Sequence, residues 1–183
     1  SFPTRRSSDL RKEWIAACEK SYLELKKKCS NIIVGGESAG ALLALHLASE
    51  YPEIKGIMLY TPAMRLASSR LRILLMIVAS FFIFAVPKKS GEDRGGMPWQ
   101  GYKVNPLKVA VQLLKLQAEI KKRLSRIYQP ILLFQANLDE TVDLKSGEMI
   151  FEGVQSAVIE SHWMEKSGHV VILDREFEEV SEI

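Results

Sequence analysis

Ser38, Asp139 and His169 carry the side-chain types that acyl transfer uses, and they occur in an order that a parallel sheet can bring together. A serine hydroxyl becomes a useful nucleophile when an imidazole takes its proton. A carboxylate on the other ring nitrogen then fixes the tautomer and stabilises the imidazolium. Ser38 lies in Gly36-Glu37-Ser38-Ala39-Gly40, between an apolar β-branched run and an Ala/Leu-rich helical pattern. Strand, sharp turn and helix form the context of a nucleophile elbow. Glycine is expected at 36 and 40 because a side chain at either would crowd the backbone where strand and helix approach. The helix would aim its first amides, Ala39 N–H among them, at a developing oxyanion. Alone the pentapeptide is a weak signal, and its other reading is a β–α turn whose serine caps the helix.

The elements around the other two residues strengthen the first reading. Residues 130–135 read as a buried strand, with Asp139 in the loop after it. A second β-branched run near Val158 and Ile159 leads to Lys166-Ser167-Gly168-His169. Reactive groups in open parallel sheets collect at the carboxyl ends of strands. The order Ser, Asp, His is that of hydrolases with a nucleophile elbow. Asp143 is the rival acid, although its place before a helix over 144–153 suits an N-cap. His46 lies a helical distance of about 12 Å beyond Ser38 and is too far to be the base. His162 reads as a surface residue and Glu37 as pointing away from the turn. Asp174 reads as helping to start the last helix.

Residues 11–28 read as an amphipathic helix, because Trp14, Cys18, Tyr22 and Leu25 recur at helical steps. Strands are expected over 31–35 and 56–60, with a helix over 39–50 between them. Continuous apolar strands imply helices on both faces of the sheet. The fold class is therefore α/β, with a parallel sheet of about four strands. Over 65–127 no strand is evident. A nearly unbroken apolar run covers 73–86, at about 14 residues too short for the roughly 20 that span a bilayer. It reads as a buried, lid or interfacial helix. A Gly- and charge-rich loop over 88–99 and a second helix from Asn105-Pro106 to about Ser125 follow. One crossover helix suffices between neighbouring parallel strands, so the surplus suggests a helical cap or lid over 65–127.

Hydrophobic residues make up 47% and charged residues 26%, enough for a single globular core. The net charge is +3, with no basic tract interleaved with aromatics, so nucleic acid is not an expected partner. The two cysteines, Cys18 and Cys29, have no metal-ligand spacing, and no phosphate loop or dinucleotide fingerprint occurs. No cofactor or metal is expected, and the compartment is read as cytoplasmic. Oligomeric state is not legible.

Taken together, the chain resembles the α/β-hydrolase superfamily, most closely bacterial carboxylesterases and monoacylglycerol-lipase-like enzymes of the serine aminopeptidase S33 type. The elbow carries the resemblance, with Thr61-Pro62-Ala63, Gln135-Ala136-Asn137-Leu138-Asp139-Glu140-Thr141-Val142 and Ser167-Gly168-His169-Val170. It implies Ser38 as nucleophile, Asp139 as acid, His169 as base and a small ester or lipid as substrate. Peptidase, thioesterase and non-catalytic binding roles share the same frame. Two departures stand out. Family members carry a His-Gly loop, source of the second oxyanion amide, and several strands ahead of the elbow strand; neither precedes Arg11 here. Residues 1–10 look like a translated frame of a sequencing adapter. The expectation is a partial α/β-hydrolase fold, core over 11–64 and 128–183, that is weak or inactive and folds poorly alone.

Overall fold

The computed structural model describes residues 10–87 and 104–183, so the leader, apart from Leu10, and the loop read over 88–99 lie outside the described residues. Helix α1 (Leu10–Lys26) leads to strand β1 (Ile33–Glu37), helix α2 (Ala39–Glu50) and strand β2 (Gly56–Tyr60). Helix α3 (Arg70–Ala79) follows, then the short strands β3 (Ala85–Pro87) and β4 (Val104–Pro106) and helix α4 (Leu107–Lys121). Strand β5 (Ile131–Ala136), helix α5 (Lys145–Gly153), strand β6 (Ile159–Met164) and helix α6 (Phe177–Glu182) complete the order.

Strands β1, β2, β5 and β6 form a four-stranded sheet in that order, and every pair is parallel. All four strands therefore end on the same side, which is what gathers the loops carrying Ser38, Thr61, Asp139 and His169. One face of the sheet holds the main core. Leu42 and Leu45 of α2, Leu116 and Ile120 of α4 and Ile150 of α5 are fully buried there with Ile57, Leu59 and Leu133. Complete burial of a leucine contributes about 1.5–3 kcal/mol, so Leu45→Ala would remove a substantial part of a marginal stability. The other face of β5 buries Phe134 and Ala136 against Val171 and Val180. Successive side chains of one strand thus serve two cores, as a period of two requires.

Coverage of the two faces is unequal, against the expectation of helices on both. Strand β1 is the edge of the described sheet, and its Ile33 is 62% exposed.

The segment 65–127 differs from the reading in detail. Ser69 caps α3, accepting from Arg72 N at 3.3 Å, but the helix stops at Ala79 and not near Val86. The chain then turns and forms β3, which pairs antiparallel with β4. Two strands of three residues, each containing a proline, give no periodic signal. The two helices also part company. Helix α4 inserts Leu116 and Ile120 into the core, and Gln117 Nε2 donates to Ala63 O at 2.6 Å. Helix α3 has no buried residue, and Leu71, Leu74, Leu75 and Val78 along it are more than half exposed.

Candidate active site

Ser38 leaves β1 in a conformation that few non-glycine residues adopt, φ 55° and ψ −113°. Such a backbone costs of order 1–3 kcal/mol and persists only where its surroundings enforce it. Here Ser38 N donates to Tyr60 O at 2.9 Å, and Ser38 O accepts from Ala63 N at 3.2 Å. The neighbouring strand thus holds both ends of the strained residue. Gly36 is needed for a close approach, because a Cβ there would stand 2.3 Å from Gly40 C and 2.8 Å from Ala41 N. The expectation at Gly40 was wrong: a Cβ there meets nothing within 4 Å. The crowding runs one way, from the strand into the helix backbone.

The Ser38 hydroxyl makes no capping bond to α2. Instead Ser38 Oγ lies 2.9 Å from His169 Nε2. His169 Nδ1 lies 2.8 Å from Asp139 Oδ2. With the serine donating to Nε2, Nδ1 carries the proton that the carboxylate accepts. The other carboxylate oxygen, Asp139 Oδ1, accepts from Thr141 N at 2.8 Å and Val142 N at 2.9 Å. Asp139 is therefore aimed by its own turn and not by the imidazole. Its side chain is 0% exposed while that of His169 is 16% exposed. The acid is sealed beneath the base, and the edge of the imidazole stays within reach of a small molecule. Ala39 is the first residue of α2, where backbone N–H groups have no intrahelical acceptor.

The competing residues are placed elsewhere. Asp143 Oδ1 accepts from Lys145 N at 2.9 Å at the start of α5, and Asp143 Oδ2 pairs with Arg65 Nε at 2.9 Å. His46 is buried on α2, its Nε2 3.0 Å from Glu19 Oε1 of α1. His162 lies at the surface, partly exposed, with its ring stacked on Phe134 at 5.3 Å and its Nε2 2.8 Å from Glu160 Oε1. Cys18 is half-buried, and burial pushes its thiol pKa up.

Sequence reasoning missed the carboxylates that shape the His169 loop. Asp174 helps start the last helix through its backbone, its O accepting from Phe177 N at 3.1 Å, and its side chain does more: Asp174 Oδ2 accepts from Gly168 N at 2.8 Å. Glu176 accepts from Lys166 N at 2.9 Å and from Ser167 Oγ at 2.6 Å. The available signal was the acidic run just beyond His169, which also reads as an ordinary helix start. Among the described residues no group of His, Cys, Asp and Glu has the arrangement of a metal site.

The chain is 30% identical over 164 residues to the thermostable monoacylglycerol lipase of Bacillus sp. (strain H-257), covering 88% of this chain and 64% of that protein. It is 26% identical to the carboxylesterase of Bacillus subtilis (strain 168), covering 90% of this chain and 66% of that one. A solved structure of the metagenome-derived lipolytic enzymes LipS and LipT superposes with a TM-score of 0.85 at 26% identity, over 94% of this chain and 70% of that one. The chain has the α/β-hydrolase fold, and the proteins it is similar to are lipases and esterases. No family model matches it. The chain spans just under two thirds of the length of the curated relatives it matches. No helix among its described residues is long and apolar enough to cross a membrane.

Proposed function

We propose that this α/β-hydrolase cleaves carboxylic esters through an acyl-enzyme on Ser38. The observation that carries the reading is the continuous line Ser38 Oγ, His169 Nε2, His169 Nδ1, Asp139 Oδ2, with links of 2.9 and 2.8 Å. In it His169 takes the proton from Ser38 as the oxygen attacks the ester carbonyl. Asp139 holds the tautomer and stabilises the imidazolium that results. His169 then passes the proton to the departing alcohol. Water, activated by the same imidazole, releases the acid and regenerates Ser38. The Ala39 N–H, at the positive end of α2, donates to the oxyanion.

The substrate class is an uncharged ester with a medium or long acyl chain. Support comes from the apolar side chains that α3 leaves exposed, and from relatives named as a monoacylglycerol lipase and a carboxylesterase. In this reading α3 belongs to a lid that meets the acyl chain.

A fluorophosphonate probe tests the reading directly. Labelling is expected in the parent chain, lost in Ser38→Ala and strongly slowed in His169→Ala. The double variant should be little worse than either single one, because triad members act as a unit. Labelling retained in Ser38→Ala would overturn the nucleophile assignment. Turnover of a thioester or an amide in preference to a nitrophenyl ester would move the substrate class.

A further inference from the structure

Thr61 is the other residue with an unusual backbone. Its φ is 41°, and Ser38 is its only companion among non-glycine residues in the described chain. A β-branched side chain in that region is a genuine outlier. Thr61 is fully buried at the end of β2. Its N–H donates to Phe134 O at 2.8 Å, and its Oγ1 donates to His169 O at 2.8 Å. Two positions on, Ala63 N reaches Ser38 O at 3.2 Å, and one position back, Tyr60 O receives Ser38 N at 2.9 Å. The turn Tyr60–Ala63 therefore holds the backbone of Ser38 on one side and that of His169 on the other.

An ordinary turn would not need a threonine at this φ. A glycine would remove the strain, and asparagine tolerates the region better. The strain is compensated by what the conformation achieves: it aims the hydroxyl at a carbonyl 108 residues away in sequence. The hydrogen bond fixes the backbone of the very residue whose ring must meet both Ser38 Oγ and Asp139 Oδ2.

We propose that Thr61 is a positioning residue, whose side-chain hydroxyl sets the height of the His169 backbone so that the imidazole reaches Ser38 and Asp139 together. The inference rests on the ester-hydrolase reading for its kinetic consequence, but not for its structural one. Thr61→Val removes the donor at nearly constant volume, and Thr61→Ser keeps it.

The first readout is the proton on His169 Nδ1, which resonates far downfield in an NMR spectrum while Asp139 accepts it. It is expected to be present in the parent chain and in Thr61→Ser, and broadened or lost in Thr61→Val. The second is nitrophenyl ester turnover. A misplacement on the scale of an ångström costs about 10- to 100-fold in rate, so kcat should fall by that factor in Thr61→Val with KM unchanged. Thr61→Ser should restore it. Where Thr61→Val fails to give a cooperative melt, Thr61→Ala removes the same donor without pressing a methyl on the carbonyl. An unchanged downfield proton in the folded hydroxyl-less variant overturns the proposal, whatever the ester assay gives. Absence of turnover in a parent chain that shows the proton would count against the ester-hydrolase reading and leave the placement of His169 by Thr61 measured.

Discussion

A Cβ built on Gly36 would stand 2.3 Å from the carbonyl carbon of Gly40, yet a Cβ built on Gly40 would touch nothing. The two glycines of one pentapeptide therefore have different physical reasons to be there. Gly36→Ala drives a methyl into helix backbone that cannot rotate away, and should cost about 3 kcal/mol or more. Gly40→Ala places a better helix former in open space and should gain about 0.5–1 kcal/mol. Thermal melts of the two variants check this, and equal melting temperatures would show that the elbow relaxes.

Asp139 and Asp143 lie close in sequence and do different work. Asp139→Asn should keep the geometry but favour the wrong imidazole tautomer, lowering ester turnover by about 10⁴-fold. Asp143→Asn loses only the ion pair with half-exposed Arg65, and should leave turnover within about twofold of the parent, since such surface pairs contribute 0–1 kcal/mol. Similar losses in the two variants would mean that the acid is misassigned.

The exposed face of α3 should read chain length. Leu74 on α3 and Phe81 in the turn just after it are 56% and 79% exposed, so replacing both with serine should not disturb the core. Activity on long-chain nitrophenyl esters is expected to fall by about tenfold, one methylene or two of pocket contact, with acetate esters little affected. Equal losses across chain lengths would detach α3 from acyl recognition.

At the far end of α1, Glu53 lies between Lys26 and Tyr22. Hydrogen bonding from Lys26, above all, holds its carboxyl down to about 2 from 4.5. Burial, then its bond to Glu53, pushes the Tyr22 phenol up to about 12 from 10.0. A carboxylate whose folded pKa is depressed stabilises the fold above its unfolded pKa, and loses that stabilisation as pH falls through the folded one. Melting temperature should therefore drop between pH 4.5 and 2, with a flatter fall in Glu53→Gln. The pair is exposed, so salt should shrink the difference. Parallel curves for parent and variant would remove Glu53 from the acid limb.

The parallel sheet of about four strands and the approach of Ser38, Asp139 and His169 were legible because apolar runs bounded by turn residues mark buried strands well. Boundaries were less so. Strand β1 runs over Ile33–Glu37 and not 31–35, because Gly36 and Glu37, which read as part of the turn, pair with Leu59 and Tyr60. The run over 73–86 looked like one helix, since periodicity cannot separate a helix from a short apolar strand after it. The role of Thr61 was hidden for another reason. A φ of 41° and a bond to His169 O arise from tertiary contacts, and no local pattern announces them.

Ser38 and His169 stand 131 positions apart in the chain, and their side chains meet only across loops from different strands. At a synthesis rate of about 5–20 residues per second, the hydroxyl emerges on the order of ten seconds before its imidazole partner exists. During that interval the growing polypeptide presents an ordinary, unactivated alcohol to the ribosome, to chaperones and to passing metabolites. On the proposed mechanism the hydroxyl can be activated only after the loop following β6 brings His169 beside it, so acylation would have to wait for the last described strand to dock.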